Sequence, residues 1–318
     1  MFALAGLAAA PSAAQSPPLP PQIGDAADEI VITAQRSGIP VWRVTGPRTT
    51  VVLVGSIGSV APGTRWDPVP LDAALVKANR VMFPESLAFG GGVGTMFSAL
   101  GQWRKQATLP KGQTLQQMTT PAQWARLVAL RDKGVLKPGF ERKHPFHLAL
   151  SLRHSVRDKR KLSPGADQYV RRFLGKNKTK RVPMTRGDTK ALMAELFKSA
   201  PRAHVACLMD SVALAEAGAG GVRARVAALK TRSDAWATRR VPEAVAAFHD
   251  DHSPLCWPKD GRLFQAHEAR LSPAVRSLMN KPEVTLAVVS LDSLAERGGV
   301  LDDLVAAGFD VRGPRWKR

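Results

Sequence analysis

Residues 49–58 read Thr-Thr-Val-Val-Leu-Val-Gly-Ser-Ile-Gly, and their reading decides the fold. Thr49 to Val54 is a continuous β-branched and aliphatic run, the pattern of a strand covered on both faces rather than one with a wet side. Just upstream, Val41 to Val44 (with Trp42) is a second strand-like run. Gly46-Pro47 between them marks a tight turn, so a hairpin is expected. Downstream, the apolar positions of Leu71 to Ala78 recur at helical spacing, and Arg80 to Phe83 is a strand that stops at Pro84. From Gln113 to His249 the pattern is mostly helical, with Pro121 and Pro145 suited to first-turn positions and a brief strand at Lys180 to Pro183. Ala203 to Ala217 carries Val205, Leu208, Val212 and Ala215 on one face, as a core-facing helix does. The chain closes with strand Val284–Val289, helix Leu294–Ala307, a stop at Gly308 and strand Phe309–Val311, a β-α-β unit. The predicted class is α/β: a central mixed sheet flanked by helices, with a largely helical middle section.

Composition narrows the possibilities. The chain has 318 residues, of which 44% are hydrophobic, enough for a packed core and too many for a disordered chain. Its two cysteines exclude a disulfide-rich scaffold and multi-cysteine zinc ribbons. No uninterrupted apolar run approaches the roughly 20 residues of a membrane span, which excludes a polytopic membrane protein. Net charge is +20, and residues 101–200 hold 23 Lys+Arg against 6 acids. The basic helical section runs over about 101–250, densest at Arg153–Lys161 and Arg171–Arg181. Arg171, Arg172, Lys176 and Lys178 form either a solvated helix face or a polyanion-binding surface. For the second role, anionic lipid or polysaccharide is the expected partner. One tyrosine, 6% aromatic residues and no binding motif argue against nucleic acid.

Residues 2–14, Phe-Ala-Leu-Ala-Gly-Leu-Ala-Ala-Ala-Pro-Ser-Ala-Ala, resemble a secretory h-region with Ser12, Ala13 and Ala14 as cleavage-site residues, although no basic residue precedes them. Residues 1–15 are therefore read as a signal peptide and 16–38 as a linker, which implies a bacterial periplasmic or secreted protein. There Cys207 and Cys256 either form a disulfide or stay as two buried thiols. Glu29 to Arg36 (EIVITAQR) reads as an extended edge strand, and it resembles the segment by which TonB-dependent receptors engage their energising partner.

Several stretches together resemble the TraB/GumN family, related to the Tiki proteases and the erythromycin esterase/ChaN group. They are Val41-Trp42-Arg43-Val44, Val51 to Gly58, Pro62-Gly63 with Leu71 to Leu75, Gly165-Ala166-Asp167 through Val182-Pro183, and Thr285 to Val289 through Gly308-Phe309-Asp310-Val311. The likeness spans a domain at 39–312. It implies a metal-dependent hydrolase scaffold with Gly-x-x-His after the first core strand, an acid after the next, and a second Gly-x-x-His near the C-terminus. Here the first motif reads Gly55-Ser56-Ile57-Gly58, the second Ser290-Leu291-Asp292-Ser293, and the acidic position falls at Pro84 or Glu85. Glycine has no donor atom and a serine hydroxyl is a poor ligand beside imidazole. The expectation is a retained scaffold with lost metal chemistry and no cofactor; the competing one is a hydrolase that still works.

Other constellations are weaker. Ser290, Asp292, Ser293, Glu85 and Arg270 are expected near the old cleft. His144, His147 and His154 share helical spacing, and His249-Asp250-Asp251-His252 could ligate a cation from a loop. Phe89 to Val93 (FGGGV) lacks the Lys-Ser/Thr of a phosphate loop, and no Gly-x-Ser-x-Gly elbow is present.

Overall fold

A computed structural model describes residues 23–46, 49–83, 107–155, 162–183, 199–247, 262–280 and 283–317. The strands are β1 (Val41–Thr45), β2 (Thr50–Ser56), β3 (Ser59–Val60), β4 (Arg80–Phe83), β5 (Ser163–Pro164), β6 (Arg181–Pro183), β7 (Thr285–Ser290) and β8 (Asp310–Arg312). Six of them form one mixed sheet in the order β6-β4-β7-β2-β1-β8, and β3 pairs with β5 in a small second sheet.

The decisive stretch sits at the centre. Every residue of β2 is buried. It pairs antiparallel with β1, from Val41↔Val54 to Thr45↔Thr50, across the expected hairpin. On its other side it runs parallel to β7, from Val51↔Thr285 to Ser56↔Ser290. β4 and β6 continue the parallel set beyond β7. A strand with neighbours on both edges and cover on both faces has no wet side to mark with polar residues, which is why it reads as unbroken apolar sequence. At the foot of the sheet the buried Arg80 donates through Nε to Thr285 Oγ1, 2.6 Å, so the charge entering β4 is held by β7.

The mostly helical middle is as expected. Helices Pro121–Asp132 and Pro145–Ser155 both open on proline. With Val205–Ala237 they enclose a second apolar core of Leu127, Leu130, Phe140, Phe146, Leu152, Leu208 and Val212. Helix Val205–Ala237 runs past the predicted end at Ala217 and is broken at Gly218 (φ 51°, ψ −136°). Pro201–Ala237 is long and apolar enough by composition to cross a membrane. Its first part buries Leu208 and Val212 in this helical core and its last turn puts Trp236 into the sheet core.

Two expectations are corrected. Residues 23–35, read as linker and edge strand, are an α-helix, Ile23–Gln35. Ile30-Val31-Ile32-Thr33 has strand-like composition, but Ala27, Ile30, Val31 and Ala34 stand at i, i+3, i+4 and i+7 and all are buried. The period outweighed the β-branched residues. The closing helix is two helices, Leu291–Ala295 and Val300–Ala306. Gly298 between them sits at φ 74°, and a Cβ on Gly299 would lie 2.8 to 3.0 Å from three backbone carbonyls, so the chain turns there instead of continuing.

Candidate functional site

Parallel strands that share a sheet deliver their C-terminal ends to one edge, where α/β proteins place their sites. β2 and β7 are neighbours, with Gly55 opposite Val289 and Ser56 opposite Ser290. The two four-residue motifs, Gly55–Gly58 and Ser290–Ser293, therefore leave the sheet side by side. β4 lies on the far side of β7. The residues that follow it, Pro84 and Glu85, lie outside the described residues.

Among the described residues, the motif positions at these tips carry no imidazole. Gly58 is exposed, and a Cβ built on it would meet nothing within 4 Å. The space an imidazole would need is present, but the donor is not. Ser290 is exposed and Ser293 half-buried, both as neutral hydroxyls. Among the described residues no three His, Cys, Asp or Glu side chains come together as a metal-holding group. Asp292 is committed elsewhere, accepting from Arg232 at 2.7 Å. Arg270 is exposed on helix Arg262–Leu278, and no bond joins it to Ser290, Asp292 or Ser293 among the described residues.

What occupies the β2 tip is a clamp from helix Ala166–Lys176. The buried Ser56 hydroxyl accepts from the Asp167 N–H at 2.8 Å and donates to Asp167 Oδ1 at 3.1 Å. Gln168 Nε2 donates to the Gly58 carbonyl at 2.5 Å and to Ser59 Oγ at 3.1 Å. Gly165, at the N-cap, lets this happen: a Cβ there would lie 1.6 Å from the Ile57 carbonyl oxygen. Burial pushes the Asp167 carboxyl above its ordinary value, against the hydrogen bonds from Gln168 and Ser56 and the nearby Arg171. Ser56 and Asp167 hold each other, and among the described residues no histidine bonds to the Ser56 hydroxyl. Beneath, Trp236 Nε1 donates to the Gly55 carbonyl at 2.8 Å, and its ring meets Trp66 edge-on at 5.3 Å. Trp66 in turn meets Tyr169, whose hydroxyl donates to Asp72 at 2.8 Å.

The histidines gather elsewhere, in the helical core. His144 and His147 do approach, at 6.2 Å between ring centroids, but their third neighbour is His204, 5.4 Å from His144, while His154 is exposed. Burial, then His204 and His147, lowers His144 to about 4; burial, then Lys143, lowers His147 to about 4. A lowered histidine pKa means the folded state refuses protons that the unfolded chain accepts. Stability is therefore whole above about pH 6.5 and drains as pH falls toward 4. Thermal melts across that window should show a falling midpoint, flattened in the His144→Gln/His147→Gln variant; an unchanged slope in the variant would assign the acid sensitivity to other groups.

The basic candidates Arg171, Arg172, Lys176 and Lys178 are all exposed, while the same helix buries Ala166, Val170 and Leu174. Cys207 is disulfide-bonded. Cys256, His249–His252 and Phe89–Val93 lie outside the described residues, as do residues 1–22. Sequence reading quoted Asp167 and Asp292 without seeing their partners, and it missed His204 and Arg232. The three pairings, Ser56–Asp167, Arg232–Asp292 and His144–His204, cross long sequence separations, and no local spacing signals them.

The TraB/PrgY/gumN family profile matches residues 40–313. No curated protein and no solved structure matches the chain.

Proposed function

The chain belongs to the TraB/PrgY/gumN family, and we propose that it is an exported, non-catalytic member that binds a ligand or partner through a scaffold whose metal chemistry is gone. One observation carries this reading. At the two adjacent strand tips, where the family resemblance implies imidazoles, stand Gly58 and Ser293, and the neighbouring Ser56 is tied to Asp167. Neutral hydroxyls compete poorly with water for a divalent ion, and one carboxylate at Glu85 would leave it short of the three or four protein ligands such sites use. The experiment is a hydrolysis assay on a peptide library and on simple esters with added Mn2+, Co2+ or Zn2+. No turnover above the no-enzyme rate is expected; metal-stimulated turnover abolished by Glu85→Ala would sink the reading in favour of a working hydrolase.

Export rests on the apolar, small-residue stretch at 2–14 and on a disulfide at Cys207, which an oxidising compartment favours. Its partner is proposed to be Cys256. A second reading of the ligand has its own support. Helix Ala166–Lys176 turns Arg171, Arg172 and Lys176 outward while its apolar face is buried. That surface suits anionic lipid or polysaccharide, with the steep salt dependence of counterion release.

A further inference from the structure

At the same end of the sheet, but at the β1/β8 corner, lies an open cleft of about 680 Å³. Gln35, Arg239, Arg240, Glu243, Arg315 and Lys317 are among its walls, four cations against one carboxylate. The geometry points to a binding site for a multiply charged phosphoryl oxyanion, such as a pyrophosphate or a phosphorylated headgroup. It is separate from the strand-tip motifs and does not rest on their loss.

How the guanidinium groups are held supports this. Arg239 donates to the Gln35 carbonyl, Arg240 Nε to Thr238 Oγ1 at 3.0 Å, and Arg315 Nε to the Lys317 carbonyl at 2.9 Å. All three acceptors are neutral. They fix the side chains without cancelling their charge, and among the described residues no carboxylate forms an ion pair with any of the three. Lys317 is the exception, paired with Asp302 at 3.0 Å. Planar guanidiniums held this way present their remaining N–H donors in the fork that matches phosphoryl oxygens.

The backbone supplies an independent sign. Helix Val205–Ala237 ends with Arg239 N–H donating to the Trp236 carbonyl and Arg240 N–H to the Ala235 carbonyl. This is the Schellman pattern, whose left-handed residue is normally glycine. Here it is Arg239 at φ 60°, the one non-glycine residue with positive φ among the described residues. The site therefore carries a strain that glycine would remove, and such strain gathers at functional positions. Both Arg239 and Arg240 stand in this turn and line the cleft.

Isothermal titration of the full chain with inorganic pyrophosphate at low salt tests the site. Saturable binding is expected, weakened at least about tenfold in Arg240→Glu/Arg315→Glu, both exposed and both retaining the fold by circular dichroism. Arg239→Gly should weaken binding several-fold while melting no earlier than the native chain, because the backbone prefers glycine there. At 0.15 M salt, where charges more than about 8 Å away are largely screened, the neutralising variant Arg171→Gln/Arg172→Gln should leave pyrophosphate affinity within a factor of two, which keeps this cleft distinct from the basic helix. Co-sedimentation with phosphatidic acid vesicles, competed by pyrophosphate, would make a lipid headgroup the source; pyrophosphate binding without vesicle binding would make it a soluble ligand. Either supports the site. No pyrophosphate binding, or binding unaltered by the arginine variants, overturns it.

Discussion

The double variant Gly58→His/Ser293→His is expected to bind Co2+ or Zn2+ at least about tenfold more tightly than the native chain, since each added imidazole replaces a position without a competitive donor. Three features of the structure make this outcome specific. The two motifs leave adjacent parallel strands, with Ser56 opposite Ser290. Space for a side chain at Gly58 is open, and its backbone does not require glycine. Ser293 lies half-buried in the short helix Leu291–Ala295, directly after the β7 tip. Optical titration with Co2+ reads the result, because imidazole ligation shifts and strengthens the weak visible d–d bands of aqueous cobalt. Single variants should gain far less than the pair. Equal, weak binding by all forms would mean that the motif positions do not converge and that the family alignment of the tips is wrong.

Gly165→Ala should be the most damaging small substitution at this edge, costing about 3 kcal/mol or more. The added methyl would lie 1.6 Å from the Ile57 carbonyl oxygen and 2.8 Å from its carbon, backbone atoms that cannot rotate away. Relief requires lifting helix Ala166–Lys176 off the β2 tip, which breaks the Ser56–Asp167 and Gln168–Gly58 bonds together. A chain of this size should then lose roughly 5 °C or more in melting temperature. Gly175 in the same helix is the control: a Cβ there meets nothing within 4 Å, so Gly175→Ala should be neutral or stabilising by up to about 1 kcal/mol. Similar melts for the two variants would show that the clamp is not tight.

The sheet was legible because its signals are local. Thr49–Val54 and Val284–Val289 are continuous β-branched and aliphatic runs, and each became a buried parallel strand. Helix starts at Pro121 and Pro145 carry their mechanism in one residue, a fixed φ and a missing N–H. The misreading at Ile30–Thr33 shows the opposite case, in which four β-branched residues suggested a strand. The helical spacing of Ala27, Ile30, Val31 and Ala34 decided, since only that period lays all four against one core. The candidate site was half legible. The motif positions Gly55, Gly58, Ser290 and Ser293 could be found in sequence because they adjoin strands. The clamp from Asp167 and the ion pair Arg232–Asp292 could not, since they join residues 111 and 60 apart. The His144–His204 approach is of the same kind, made when two helices pack. The anion cleft was invisible for a further reason: Arg239 looks like any surface arginine until its φ is known.

The central claim is that the strand-tip edge no longer holds a metal, and elemental analysis tests it most directly. Protein purified without chelator from cells grown with Mn2+, Co2+ and Zn2+, then dialysed, should carry each metal far below one ion per chain, with Glu85→Ala indistinguishable from the native protein. One tightly held divalent ion per chain, lost in Glu85→Ala, would contradict it.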